Sequence, residues 1–134
     1  MKLRSFALSA ILSFLLASGE LCIAQHMNEP DSPCAGVATT SDLVACLDQA
    51  ESRSEAKMNA LYQKIKSRLD AGQLEELTKT QQLWLNYREA NCAAEHSLYG
   101  RGSGGPPAQL ACIEAMTRER TKELQVTYAV RLKD

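Results

Sequence analysis

An all-α fold, an antiparallel bundle of three main helices carrying two disulfides, is what the 134-residue sequence predicts. Three observations carry that expectation. Apolar residues recur at steps of three and four in three long stretches, the spacing that lines one face of an α-helix. No segment alternates apolar and polar residues with period two, so strands have no candidate. Of five cysteines, Cys22 falls in an N-terminal leader, and the remaining four are an even number in a small exported chain. That count reads as two bridges.

The leader comes first. Lys2 and Arg4 form a short basic start, Phe6 to Ala17 an apolar run, and small residues and a polar shift follow. This is the pattern of a secretory signal peptide over residues 1–24, too short for a membrane span of about 20 residues. Cys22 and Ala24 are the small residues three and one before a cut after Ala24, the preferred position. A cut after Gly19, with Ala17 at the other small position, is the alternative. Leu21 is bulky where a lipid-anchor signal at Cys22 would need a small residue. Taking Lys2 and Arg4 from 15 basic residues, and Glu20 from 16 acidic ones, leaves 13 and 15 and a net charge of −2. That balance provides no electrostatic basis for binding nucleic acid or an anionic membrane surface. No later apolar stretch is long enough to anchor the mature chain. A periplasmic or secreted location is expected.

Residues 25–38 form an N-terminal segment, and residues 39–134 the helical domain. Thr39-x-x-Asp42 reads as a capping box, hydroxyl and carboxylate each meeting a free backbone N–H. Leu43, Leu47, Ala50, Met58, Leu61, Ile65 and Leu69 then recur at helical spacing, interrupted around Ser54. The first helix is expected from about Thr40 to Asp70, ended near Gly72. A second should run from about Leu74 to Tyr99, with Gly100 as a left-handed cap. The third opens with Pro107 near its first turn and is expected to reach Leu132, with Leu110, Ile113, Met116, Thr117, Arg120, Leu124 and Tyr128 on one stripe. The arrangement expected is a helical hairpin extended by the third helix. Such a domain has a modest core, so its disulfides should matter.

Helix geometry selects among the three possible pairings. If the first two helices turn back near Gly72, Cys92 is level with roughly residue 52. Cys46 then lies about 9 Å further along at 1.5 Å per residue, beyond the usual Cα–Cα reach of about 7 Å. Cys92 lies seven residues before Tyr99 and Cys112 five after Pro107, so those two are nearly level. The expected bridges are Cys34–Cys46 and Cys92–Cys112.

That register gives meaning to "QQLWLNYREANC", which holds the only tryptophan. Gln81, Trp84, Arg88 and Cys92 share one helix face, extended upstream by Leu74 and Leu77. With Cys92 opposite Cys112, Trp84 faces Arg120, Gln81 lies near Glu123 and Leu124, and Arg88 faces Met116 and Thr117. An arginine over the indole is a cation–π contact. Buried Arg88 would need a carboxylate or carbonyl partner. Gln81, Trp84, Arg88 and Arg120 therefore read as a partly polar structural seam.

Chemistry has thin support. Only His26 and His96 remain in the mature chain, His26 in an N-terminal tail expected to be mobile. A Ser-His-Asp arrangement would need His96 to meet Ser97 or Ser103, with nothing to orient it. Cys92-x-x-x-His96 with Cys112 can be drawn as a zinc site, but in an exported chain the disulfide takes precedence. No catalytic residue, metal site or cofactor is assigned. "GRGSGGPP", Gly100 to Pro107, contains a literal GxGxxG, yet a helix precedes it and prolines follow, so the dinucleotide reading fails. It reads as an interhelical loop, or more sharply as an exposed binding loop.

Taken in order, several features resemble a known family: the two cysteines flanking a Thr-led helix start, "MNALY", "QQLWLNYREANC", the glycine-rich loop and "CIEAMTRERTKEL". The chain resembles the LprI-like lysozyme-inhibitor family, small exported helical domains of the bacterial envelope. The matching positions are Cys34, Cys46, Asn59, Tyr62, Leu77, Gln81, Trp84, Arg88, Cys92, Cys112, Thr117, Arg120, Thr121 and Leu124. They span Cys34 to Leu124. Glu89 departs from the pattern, where an aspartate is expected, and keeps the charge. The resemblance implies a lysozyme as protein partner, bound directly. The alternative is an envelope protein-binding module without effect on lysozyme. Lysozymes act with two carboxyl groups in a long cleft, so the expected inhibitory element is the loop carrying Arg101, Gly102 and Ser103. The sequence leaves the lysozyme class and the oligomeric state open.

Overall fold

The computed structural model describes residues 26–133; the leader and both candidate cleavage positions lie outside them. Among the described residues there is no strand. Three long helices, α1 (Thr40–Lys66), α2 (Ala71–Ser97) and α3 (Gly105–Thr127), are followed by a short α4 (Ala129–Leu132). A single 3-10 turn, His26–Asn28, precedes them.

The boundaries follow capping chemistry. Thr39 Oγ1 accepts the Asp42 backbone N–H at 3.1 Å and donates to the Asp42 carboxylate at 2.7 Å. The carboxylate thus takes the hydroxyl, where the sequence had suggested a second backbone N–H. α1 is continuous through Ser54 and stops at Lys66, four residues before the expected end. Ser67 closes it, its hydroxyl donating to the Lys64 carbonyl at 2.8 Å. Asp70 ends nothing; it opens α2, its side chain accepting the Gln73 N–H at 2.9 Å. Aspartate is a far better N-cap than helix interior residue, so α2 begins at Ala71, earlier than the apolar pattern suggested. Gly100, past the end of α2, has φ +55°, the left-handed conformation that glycine adopts without steric cost. α3 carries its prolines in the first turn, where the missing N–H costs nothing. The last helix is broken at Tyr128 (φ −103°, ψ 12°). Val126, Thr127 and Tyr128 are weak helix formers in succession, and the Arg131 N–H turns back to the Tyr128 carbonyl at 2.9 Å.

The helix that organises the core is α3. It packs along both α1 and α2, which meet each other only sparsely. The expected hairpin is therefore better described as two helices flanking a shared third. Apolar burial is split into two clusters. One joins Cys34, Leu47, Ala50 and Ala111; the other joins Met58, Ile65, Leu77 and Leu124. Between these levels α1 contributes Ser54 and Glu55, α2 contributes Arg88, and α3 contributes Glu114 and Thr117. A polar layer divides the core.

Two disulfides fasten the end nearest the first cluster. Cys34 and Cys46 are bridged with Cα atoms 6.0 Å apart, tying the N-terminal segment to α1. Cys92 and Cys112 are bridged at 5.5 Å and tie α2 to α3. Both sulfurs of the second bridge belong to residues with no solvent exposure.

Candidate functional site

The face of α2 that meets α3 presents Gln81, Trp84, Arg88 and Cys92 in one row. Arg88 is the centre of the polar layer, its side chain 6 % exposed. One terminal nitrogen donates to Glu55 at 2.9 Å and to Thr117 at 2.8 Å, and the other to Glu89 at 2.9 Å. A buried guanidinium is tolerable only when so neutralised. Arg120 donates from Nε to Gln81 at 3.1 Å and from Nη1 to Glu123 at 2.7 Å. Both guanidiniums lie over the indole of Trp84, Arg88 at 5.3 Å and Arg120 at 5.7 Å from the ring. The register had set Arg120 over this ring; Arg88 is the cation that it did not supply.

Acids crowd Arg88: Glu55 and Glu89 hold it, and Glu51 feels its charge along with that of Asp48. The Glu51 carboxyl is pushed above its ordinary range, by partial burial first and then by the Glu55 charge, against the opposing pull of Arg88. A carboxyl with a raised folded pKa weakens the fold when ionised, and that penalty disappears as pH falls through the raised value. Glu51→Gln should raise the melting temperature at pH 7 and converge with the parent near roughly pH 4, where carboxylates protonate. A variant less stable at neutral pH would show that Glu51 is held by a favourable contact.

A second polar group surrounds the N-terminal segment. His26 Nδ1 lies 2.8 Å from Glu95, whose side chain is 9 % exposed. His26 is therefore packed, contrary to the mobile tail expected of it. Glu114, also buried, accepts from the Ser54 hydroxyl at 2.9 Å and lies 3.5 Å from Arg118 Nε. Arg118 also donates to Asp31. That hydrogen bond, and then the charge of Arg118, hold the Asp31 carboxyl below its ordinary range. These contacts enclose a cleft of about 500 Å³ lined in part by His26, Asp31, Trp84, Arg118 and Arg120. Glu95 follows Cys92 by three residues and continues the seam, a signal that sequence reasoning could have used. Its partner, 69 positions away, left no trace.

His26, Glu95 and Cys112 place ligand atoms within 4.8 Å of one another. The Cys112 sulfur is spent in a disulfide, and the thiolate is the metal-binding form. The zinc set drawn from Cys92, His96 and Cys112 meets the same obstacle. Ser97 donates to the Ala94 carbonyl at 2.6 Å, which occupies the hydroxyl that a nucleophile would need.

The glycine-rich connection sits at the disulfide end of the bundle, away from Trp84 and Arg120. Arg101, Gly102 and Ser103 are exposed. The Gly102 N–H donates to the Tyr99 carbonyl at 2.8 Å. A Cβ on Gly105 would come within 2.3 Å of the His96 ring, and one on Gly104 within 2.4 Å of Tyr99. The close approach that those two glycines permit is thus to rings of the same chain. The loop is seated at its base and presents Arg101 and Ser103 at its tip.

No helix among the described residues is long and apolar enough to cross a membrane. The family described as lysozyme inhibitor LprI matches residues 32–124. An uncharacterized protein of Rhizobium meliloti (strain 1021) is 29 % identical over 132 residues, covering 89 % of this chain and 93 % of that protein. No solved structure matches. The matched span takes in both bridges, all three long helices to Leu124 and the loop between α2 and α3, and on that ground the chain belongs to the LprI lysozyme-inhibitor family.

Proposed function

We propose that this chain is exported and inhibits a lysozyme by binding it directly, with the loop around Arg101 entering the cleft. Family membership is the observation that carries the proposal. The loop geometry supports the choice of element. A long glycosidase cleft with two carboxyl groups is best met by a slender protrusion carrying a cation. Arg101 is the only charged residue between Gly100 and Gly105, and it is exposed. A guanidinium can engage a carboxylate in a bidentate way, and Ser103 adds a hydroxyl donor. The Cys92–Cys112 bridge and the Gly102–Tyr99 hydrogen bond restrain the loop before it docks, which lowers the ordering cost of association.

The test is a turbidity assay of cell-wall lysis with c-type, g-type and i-type lysozymes, using the mature, oxidised protein. Arg101→Ala should weaken inhibition at least about tenfold, equivalent to about 1.4 kcal/mol, without changing the melting temperature. Inhibition by the parent that survives unaltered in Arg101→Ala moves the binding surface off the loop. A parent that neither inhibits nor binds any of the three classes refutes the functional reading itself.

A further inference from the structure

We propose that two copies of this chain pair through the outer face of α2, antiparallel about Ala90. Leu83 and Tyr87 are each 60 % exposed and Leu98 is 75 % exposed, three of five large apolar side chains so exposed among the described residues. Ala90 and Ala94 are exposed between them. Single exposed apolar residues need no explanation. These five follow at steps of four, three, four and four, which aligns them in one strip about 22 Å long at 1.5 Å per residue. The charged residues of this stretch lie elsewhere on the helix. Arg88 and Glu95 are buried against the bundle, and Glu89 accepts from Arg88. The strip carries no charge.

Its order of sizes is what selects the occupant. Reading along α2 to its C-cap residue Leu98, whose backbone is still right-handed helical, the strip runs large, large, small, small, large. A two-fold axis beside Ala90 brings Leu83 against the partner's Leu98 and seats Tyr87 over the partner's Ala94. At the centre Ala90 meets its own copy, where small side chains let the backbones approach. A parallel pair would set Tyr87 on Tyr87 and leave Ala94 facing Ala94 across a gap, which close packing disfavours. The strip is therefore self-complementary in the antiparallel sense that an isologous dimer requires. Charge agrees: two copies at net −2 approach with least repulsion along a face that bears none. One helix face is at the small end of specific interfaces, so the pair is weak and concentration-dependent.

Sedimentation equilibrium of the mature, oxidised protein tests this between about 10 μM and 1 mM, the range suited to an interface of this size. The mass should climb from one chain toward two. Leu83→Lys alone and Leu98→Glu alone should each hold the protein at monomer mass, with the melting temperature unchanged. Carrying both, the protein should pair again, because each introduced lysine then faces the other copy's introduced glutamate. A parent that stays monomeric throughout overturns the proposal. So does a double variant as monomeric as the singles. If the parent is monomeric and the single variants lose lysozyme inhibition, the strip belongs to the enzyme interface and the dimer is refuted.

Discussion

Replacing Cys92 and Cys112 together with alanine should lower the unfolding free energy by about 2–4 kcal/mol, and by more than the same replacement at Cys34 and Cys46. Loop entropy contributes only a small part of that difference. The bridges close spans of 20 and 12 residues, and loop-closure cost grows only logarithmically with length. Packing supplies the rest. Cys92 and Cys112 are without solvent exposure, and Cys46 is only partly buried. The Cys92–Cys112 bridge also fastens the two helices that carry the seam, and it lies beside the His26–Glu95 pair. Its loss would loosen a buried carboxylate as well as a cross-link. Urea denaturation of the two double variants gives the comparison. Equal losses would mean that each bridge acts through the unfolded chain alone, and a larger loss at Cys34–Cys46 would make the N-terminal segment the greater source of stability. Against a total of about 5–15 kcal/mol for a small domain, either loss is substantial.

Much of this arrangement was legible because helices convert residue number into height. Once Cys92 is set opposite Cys112, the levels of Trp84 with Arg120 and of Arg88 with Thr117 follow from 1.5 Å per residue, and the structure places those side chains together. The helix ends were less legible. Leu69 continues the apolar spacing of α1, and only the capping geometry of Asp70 reveals that the turn has already occurred. The polar layer was read from one side. Arg88 announced the need for a carboxylate, but nothing local singles out Glu55 from the other acids of α1, because that choice depends on how α1 rolls against α3. The His26–Glu95 and Arg118–Asp31 contacts were illegible for the same reason in stronger form. They join the N-terminal segment to distant helix positions, and a segment without periodicity carries no register. In the loop, the glycines were visible and their reason was not, since Tyr99 and His96 fold back only when the chain turns.

Arg88→Ala should be the most damaging single change in the seam, costing about 3–5 kcal/mol, the usual range for breaking a buried ionic network on one side. Three losses combine. Thr117 has no solvent exposure and would lose the 2.8 Å hydrogen bond that satisfies it. Glu55 would keep its charge beside Glu51 and Glu89 without the cation between them, although at 37 % exposure it can partly rehydrate. The indole of Trp84 would lose one of its two guanidiniums and gain a void at its flank. Arg88→Lys should recover only part of this. An ammonium is a point charge on a flexible stem, unable to hold Glu55, Thr117 and Glu89 from one planar group. Arg88→Met separates electrostatics from volume, since it fills the space and removes the charge. If the layer stabilises through its ion pairs, the methionine variant should resemble alanine in urea denaturation at pH 7. A methionine variant as stable as the parent would mean that the layer contributes nothing net to folding. Arg88 would then act to fix the register of α2 on α3, and the damage in alanine would be the cavity alone.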